Sequence, residues 1–362
     1  MASSVHYEPD YAVAPGGTLR ATLAELGMAQ ADLATRTGLS MKHINQIVQG
    51  VAPITQETAL LFERATGVSA RLWNSLEAGY RERLVREESR EQLAEDAEWL
   101  DQLPIAELIR RGKVAADVDK PTQVEQVCRF FGVANRERWQ QLWLEPFVSF
   151  RQSPTFETDV GAVATWLRLG ELEAMLIDTE PFDERRFRQA LVEIRDLTTK
   201  RPQLALKRLQ AICASAGVAV VFLAEIDKTR TSGAARWLTP NKALIQLSDR
   251  HKADDHFWFS FFHEVGHLLL HSKKGTFITA PATETERVEQ EANAFAEAQL
   301  IPRRYEPRLR SLHTDGDVRA FASELGIAPG IVVGRLHNDE LWLWSKGNRL
   351  RQPIDFDALI SS

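Results

Sequence analysis

At 362 residues, with 44% apolar and 26% charged side chains, the chain has a globular composition long enough for two or three domains. A net charge of −6 excludes a polycation that grips nucleic acid over its whole surface, so any such contact must be local. No apolar run reaches the length of a bilayer span and the polar start MASSVHYEPD carries no secretory core, so a cytoplasmic location without membrane contact is expected.

The first informative segment runs from about residue 17 to 80. TLRATLAELG reads as an amphipathic helix closed by Gly27, and MAQADLATRTGLSMKHINQIVQG follows it. In that run Leu33 and Ala34 belong to a short helix, Gly38 permits a sharp turn, and Ser40 caps a second helix whose Ile44 and Ile47 face inward. This is a helix-turn-helix layout, with the N-terminal half of its second helix open to the edges of bases in a major groove. The segment resembles the Xre type of DNA-binding domain, and ITQETALLFERATGVSARLWNSLEAGY is similar to its HigA-like antitoxin branch. The resemblance implies base-reading positions at Met41, Lys42 and Gln46, and places Gln30, His43 and Asn45 nearer phosphates. One departure is that residues 1–80 hold five Lys/Arg against seven Asp/Glu, so a homodimer presenting two recognition helices is expected to supply the missing affinity. The competing reading is a helical protein-interaction module without DNA affinity.

From about 81 the composition changes. RERLVREESREQLAEDAEWLDQL reads as an exposed connecting helix, and short helical pieces follow to about 194, with Trp139, Trp143 and Trp166 expected in a core. Nothing in this stretch has catalytic spacing. Cys128, here, and Cys213 stand alone, which fits reduced, buried thiols.

Residues 195–250 read as a helix, LALKRLQAICASAG, and strands AVVFLAEI, AARWLT and KALIQLS, the last two separated by a Pro240-Asn241-Lys242 turn. KALIQLS is the expected edge for a substrate backbone, and Arg250 or His251 could stabilise an oxyanion, with a surface salt bridge as the plainer role.

The chain then reaches FWFSFFHEVGHLLLH. On a helix, His263 and His267 share one face a turn apart and can close on a single ion, while Glu264 can hold a water there. That is the HExxH arrangement, in which two neutral imidazoles bind zinc and the glutamate is a general base. The alternative is a pair of core histidines bonded to backbone. Lys273 stands where a metzincin would carry a third histidine, so the third ligand must be a later carboxylate. In ERVEQEANAFA, Val288, Glu291, Ala292 and Phe295 recur at helical spacing, which predicts an inward stripe with Glu291 as its carboxylate, and puts Glu286 and Glu289 on a solvated face. His271 shares the face of His267 further along the axis and reads as a group beside the ligands or as a helix cap.

HEVGHLLLH followed by EANAFAEAQLIP resembles the ImmA/IrrE family of bacterial zinc metallopeptidases over roughly residues 195–340. The resemblance implies Zn2+ on His263, His267 and Glu291 with Glu264 as base. After Pro302, DVRAFASELGIAPGIVVGRLHND has a faint second helix-turn-helix rhythm and is expected to pack on the catalytic core.

The expected fold is mainly α with a small β-sheet: an all-α helix-turn-helix domain over 1–80, a helical middle region over 81–194, and an α+β zincin-like domain over 195–362. Two functions fit. Either a zinc endopeptidase joined to a DNA-binding domain acts at operator DNA and cleaves a repressor or partner protein, or a HigA-like antitoxin and repressor uses the zincin fold as a sensor or toxin-binding surface.

Overall fold

The computed structural model describes residues 14–144, 159–271, 282–354 and 356. They form two compact units, one reaching to Ala97 and including Val118–Val124, the other made of Glu98–Asp117 and the chain from Glu125 onward.

The first unit is all helical: α1 (Pro15–Glu25), α2 (Gln30–Thr37), α3 (Met41–Val48), α4 (Gln56–Thr66) and α5 (Ala70–Glu95). Leu19, Leu23, Leu33, Ile44, Ile47, Phe62 and Trp73 close its core. Local chemistry sets the turn before α3. Gly38 takes the left-handed conformation, φ 75°, that a side chain resists, and Ser40 accepts the His43 N–H as the cap of α3. Past Arg81, α5 is charged on nearly every turn and exposed, as expected of a connecting helix.

The second unit begins with the short helices α6 (Ile105–Arg110), α7 (Lys120–Phe131, which starts in the first unit) and α8 (Arg136–Trp139), followed by α9 (Val160–Met175), α10 (Glu184–Asp196) and α11 (Pro202–Ala214). Strands β1 (Val218–Phe222), β2 (Gly233–Thr239) and β3 (Lys242–Leu247) lie in the order β1-β3-β2, with β1 parallel and β2 antiparallel to β3. Then come α12 (Asp254–Leu270), α13 (Ala282–Leu300), α14 (Glu306–Leu309), α15 (Asp315–Leu325) and α16 (Pro329–Asn338).

The expected middle region over 81–194 does not stand as a unit of its own. Helix α9 covers the sheet: Trp166 donates its indole N–H to the Leu223 carbonyl at 3.4 Å, and the buried Gln246 amide of β3 donates to the Trp166 carbonyl at 2.7 Å. A mostly apolar strand needs such a cover on its second face, and the covering helix came from sequence that looked like a linker. Trp139 and Trp166 are buried, and so are Cys128 and Cys213.

The strand order overturns the choice of KALIQLS as the docking edge. It is β3, paired on both sides, whereas among the described residues β2 pairs with β3 alone and forms one edge of the sheet.

Two helix contacts position α12. Gly266 lies against Ala292 of α13, where a β-carbon on Gly266 would sit 3.0 Å from the Ala292 Cα. On the other side Gly330 and Gly334 of α16 take the first-turn carboxylates Asp254 and Asp255 against their bare backbone. Thus the segment after Pro302 does pack on this core. The chain end completes the mount: Asp254 N–H donates to the Gln352 carbonyl at 2.9 Å, the Gln352 N–H returns to Asp254 Oδ1 at 3.0 Å, and Arg351 pairs with Asp255 at 2.8 Å.

Substituting Gly266→Val should therefore force α12 from α13 and destabilise this unit by about 1–3 kcal/mol, the usual cost of overpacking. A lower denaturation midpoint at unchanged slope is the expected readout.

Candidate metal centre

Helix α12 carries His263, Glu264 and His267, and α13 brings a carboxylate to them. That carboxylate is Glu289. Its Oε2 lies 3.2 Å from His263 Nε2 and its Oε1 3.4 Å from His267 Nε2, while the two imidazole nitrogens are 2.9 Å apart. Among the described residues, these three form a group whose donor atoms all fall within 4.8 Å of one another. Zinc bonds of about 2.0–2.1 Å at tetrahedral angles separate their donors by about 3.3 Å, so the triangle has the size that the ion needs. Two imidazoles and one carboxylate leave a fourth position for water or substrate.

The structure does not bring Glu291 into this triangle. Its Oε2 is 3.2 Å from His271 Nε2 and its Oε1 receives Arg287 Nη1 at 2.9 Å. The reason is rotational. Ala292 and Ala296 of α13 are fully buried and Leu300 nearly so, which centres the inward face on the 289, 292, 293, 296 and 300 positions. Glu291, two residues from Glu289, points about 200° away around the helix. The large side chains Val288 and Phe295 drew the sequence-derived stripe to the wrong flank, because a close helix crossing uses alanine and glycine.

One site residue escaped the sequence reading. Asn293, one turn after Glu289, holds His263 Nδ1 at 2.9 Å through its Oδ1. An amide oxygen only accepts, so His263 carries its proton on Nδ1 and presents the Nε2 lone pair to the triangle. The signal was there in the Glu289/Asn293 spacing of four, which puts a carboxylate and an orienting amide on one face. His271 lies beside the ligands, its Nδ1 3.3 Å from His267 Nδ1, and it also ends α12.

Glu264 is buried between α12 and the start of β2, with Gly233 so close that a β-carbon there would be 2.7 Å from its Oε1. Burial pushes its carboxyl up to about 7, against the opposing pull of His263. Burial likewise lowers His267 to about 4, helped by the neighbouring His263, which leaves it neutral near pH 7. Burial also works against charge on His263, but the hydrogen bond that the charged ring donates to Glu289 and the charge of Glu264 outweigh it and the net shift is upward. For Glu289 the opposing burial is outweighed by His263 and His267, and its carboxyl is lowered. A neutral ligand imidazole, an ionised ligand carboxylate and a base poised near neutrality are the protonation states that metal-assisted hydrolysis needs.

Arg250 and His251 make other contacts. Arg250 donates to the Arg230 carbonyl and lies 3.9 Å from Glu225, and His251 stacks on His256 with ring centres 4.1 Å apart.

On α3, Met41, Lys42 and Asn45 are exposed, His43 and Gln46 are half-buried, and Ile44, Ile47 and Val48 face the core. Gln30 opens α2. The expected polar face therefore exists.

Because the folded pKa of Glu264 lies above its ordinary value of 4.5, its protonation favours the fold, and that contribution is lost as pH rises through about 7. Metal-free Glu264→Gln should gain on the metal-free parent between pH 4.5 and 7. The gain should plateau at on the order of 3 kcal/mol, measured by denaturant unfolding across pH.

Comparison with known proteins agrees with both halves of this picture. Residues 19–73 match the family model of the helix-turn-helix, and residues 213–337 match that of the IrrE N-terminal-like domain, a peptidase family. No curated protein matches. Among solved structures, an addiction module antidote protein of the HigA family from Coxiella burnetii is 23% identical over 24% of this chain and 94% of that one, with a TM-score of 0.22. The chain joins a helix-turn-helix domain, at residues 19–73, to a peptidase-family domain of the IrrE N-terminal-like kind, at residues 213–337.

Proposed function

We propose that the protein is a transcriptional regulator whose second unit is a zinc-dependent endopeptidase, acting on a repressor or other protein partner at operator DNA. The observation that carries the reading is the convergence of His263, His267 and Glu289 beside a buried Glu264 at the edge strand β2.

A bound zinc would supply Lewis acidity toward a water and the scissile carbonyl. His263, His267 and Glu289 would hold it. The chain's own residues do the rest. Glu264 accepts the proton of the attacking water and returns it to the leaving amine, for which a carboxyl near neutrality is suited. The outer edge of β2, next to Glu264, offers backbone groups to an extended peptide by strand addition. Asn293 keeps His263 in one tautomer throughout.

On the DNA side, Met41, Lys42 and Gln46 read base edges, and Gln30, His43 and Asn45 hold phosphates. With so few cations in this unit, two copies gripping two half-sites give the affinity that one lacks, so we assign a homodimer on its operator. None of the described helices is long and apolar enough to cross a membrane, and operator DNA places the action in the cytoplasm.

Elemental analysis should find about one zinc per chain in the parent and in Glu264→Gln, and should find it lost in Glu289→Gln. Glu264→Gln should hydrolyse no peptide bond in a fluorescent casein assay that the parent turns over; equal turnover would defeat the mechanism. Failure of the parent itself to cut, with zinc bound, would favour a sensor or toxin-binding role for the fold.

The Lys42→Ala/Gln46→Ala pair should lose about 1–3 kcal/mol per contact on a DNA fragment that the parent selects from a random pool, with little change on unselected DNA. Gln30→Ala should weaken both alike.

A further inference from the structure

The two candidate ligand histidines are oriented by different means. His263 leans directly on Asn293. His267 has its Nδ1 against another imidazole, His271, at 3.3 Å, and the far nitrogen of that ring, Nε2, meets Glu291 Oε2 at 3.2 Å. Glu291 is itself held by Arg287 at 2.9 Å, one helical turn away. The side chains of His267 and His271 are only 5% and 7% exposed, so water competes little for these bonds.

Proton placement along the row has one consistent solution. If His267 gives its Nε2 lone pair to an ion, its proton is on Nδ1 and is donated to His271 Nδ1. His271 then carries its own proton on Nε2 and donates it to Glu291, which as a carboxylate only accepts. Each imidazole is neutral, donates once and accepts or ligates once. A carboxylate behind a ligand imidazole raises its basicity and fixes its ring; here a second imidazole sits between them.

We infer that Glu291 and His271 form a hydrogen-bonded relay from α13 that locks the tautomer and ring plane of His267, making both positioning residues for the metal rather than ligands to it. The relay rests on the reading that His263, His267 and Glu289 hold zinc. It accounts for an acidic residue set two positions from the ligand carboxylate and turned away from it: Glu289 faces the ion directly, and Glu291 reaches the same centre through the end of the neighbouring helix. Helix α13 thereby contributes one ligand and the orienting group of each imidazole.

The test is zinc affinity of the full chain, by competition with a chromophoric chelator, with helicity checked by circular dichroism. His271→Leu should weaken zinc about 10–100-fold yet still bind one ion at saturation. Its cobalt-substituted form should keep the absorption band positions of the parent, since no ligand has been removed. Glu291→Leu should weaken zinc in the parent but add nothing in the His271→Leu background, because the relay is already broken. His271→Gln offers an amide oxygen toward His267 and an amide N–H toward Glu291, and should recover part of the loss. If His271→Leu does not fold, Glu291→Leu, at a half-exposed position, carries the test alone by its loss of affinity at retained stoichiometry. Unchanged affinity in the folded variants, additive losses, or loss of the bound ion in Glu291→Leu to the extent seen in Glu289→Gln would overturn the relay. If the parent binds no zinc, the metal reading fails and the relay fails with it; if Glu289→Gln alone abolishes binding while His271 and Glu291 variants bind as the parent does, only the relay fails.

Discussion

Everything at the candidate centre depends on how closely α12 and α13 approach. The contact is backbone to backbone, Gly266 against Ala292, with Ala296 continuing the same small-residue face. Only at that separation does a glutamate of ordinary length reach imidazoles on the facing helix. A larger residue at the crossing would gain buried apolar area and lose the donor triangle, so packing and chemistry pull in opposite directions at this point, and packing has given way.

The same economy governs the protonation states. The cluster of two imidazoles and two carboxylates, of which Glu289 alone is half-exposed, is costly to desolvate, and burial is the largest influence on each of them. Burial prevails at Glu264 and His267, while neighbouring groups reverse it at His263 and Glu289, leaving His267 neutral and Glu289 ionised. An ion of charge +2 entering this arrangement would find His267 and Glu289 in the form that binds it, would displace the proton that His263 holds more readily, and would relieve repulsion between the carboxylates of Glu264 and Glu289.

How much could be read from the chain alone varied with the length scale of the signal. HEVGH carried its own geometry, because residues four apart on a helix are neighbours whatever else the chain does. The turn at Gly38 and the cap at Ser40 were equally local, and the helix-turn-helix followed from them. What failed was the choice that required knowing which face of α13 lies inward. Val288 and Phe295 looked like the buried stripe since they are large and apolar, yet the inward face is made of alanines, and the phase error moved the carboxylate from Glu289 to Glu291. The strand edge failed for a similar reason: the apolar run of β3 signals burial on both faces, and burial of that kind belongs to a central strand. Nor did the sequence reveal that α9 roofs the sheet, since Trp166 and Gln246 are eighty positions apart and neither belongs to a motif.

The return of the chain end to the start of α12 has a consequence for how the molecule is made. The first turn of that helix finds its backbone partner at Gln352 and its counter-charge at Arg351, nearly a hundred residues further on. During synthesis the histidines therefore leave the ribosome well before the residues that seat their helix. The centre can be fully assembled only once residues 351 and 352 have emerged, by which time the helix-turn-helix unit, built from near-neighbour contacts earlier in the sequence, has had time to fold. The order of translation thus separates the two units in time: a nascent molecule has its folded helix-turn-helix before the seat of His263 and His267 is complete.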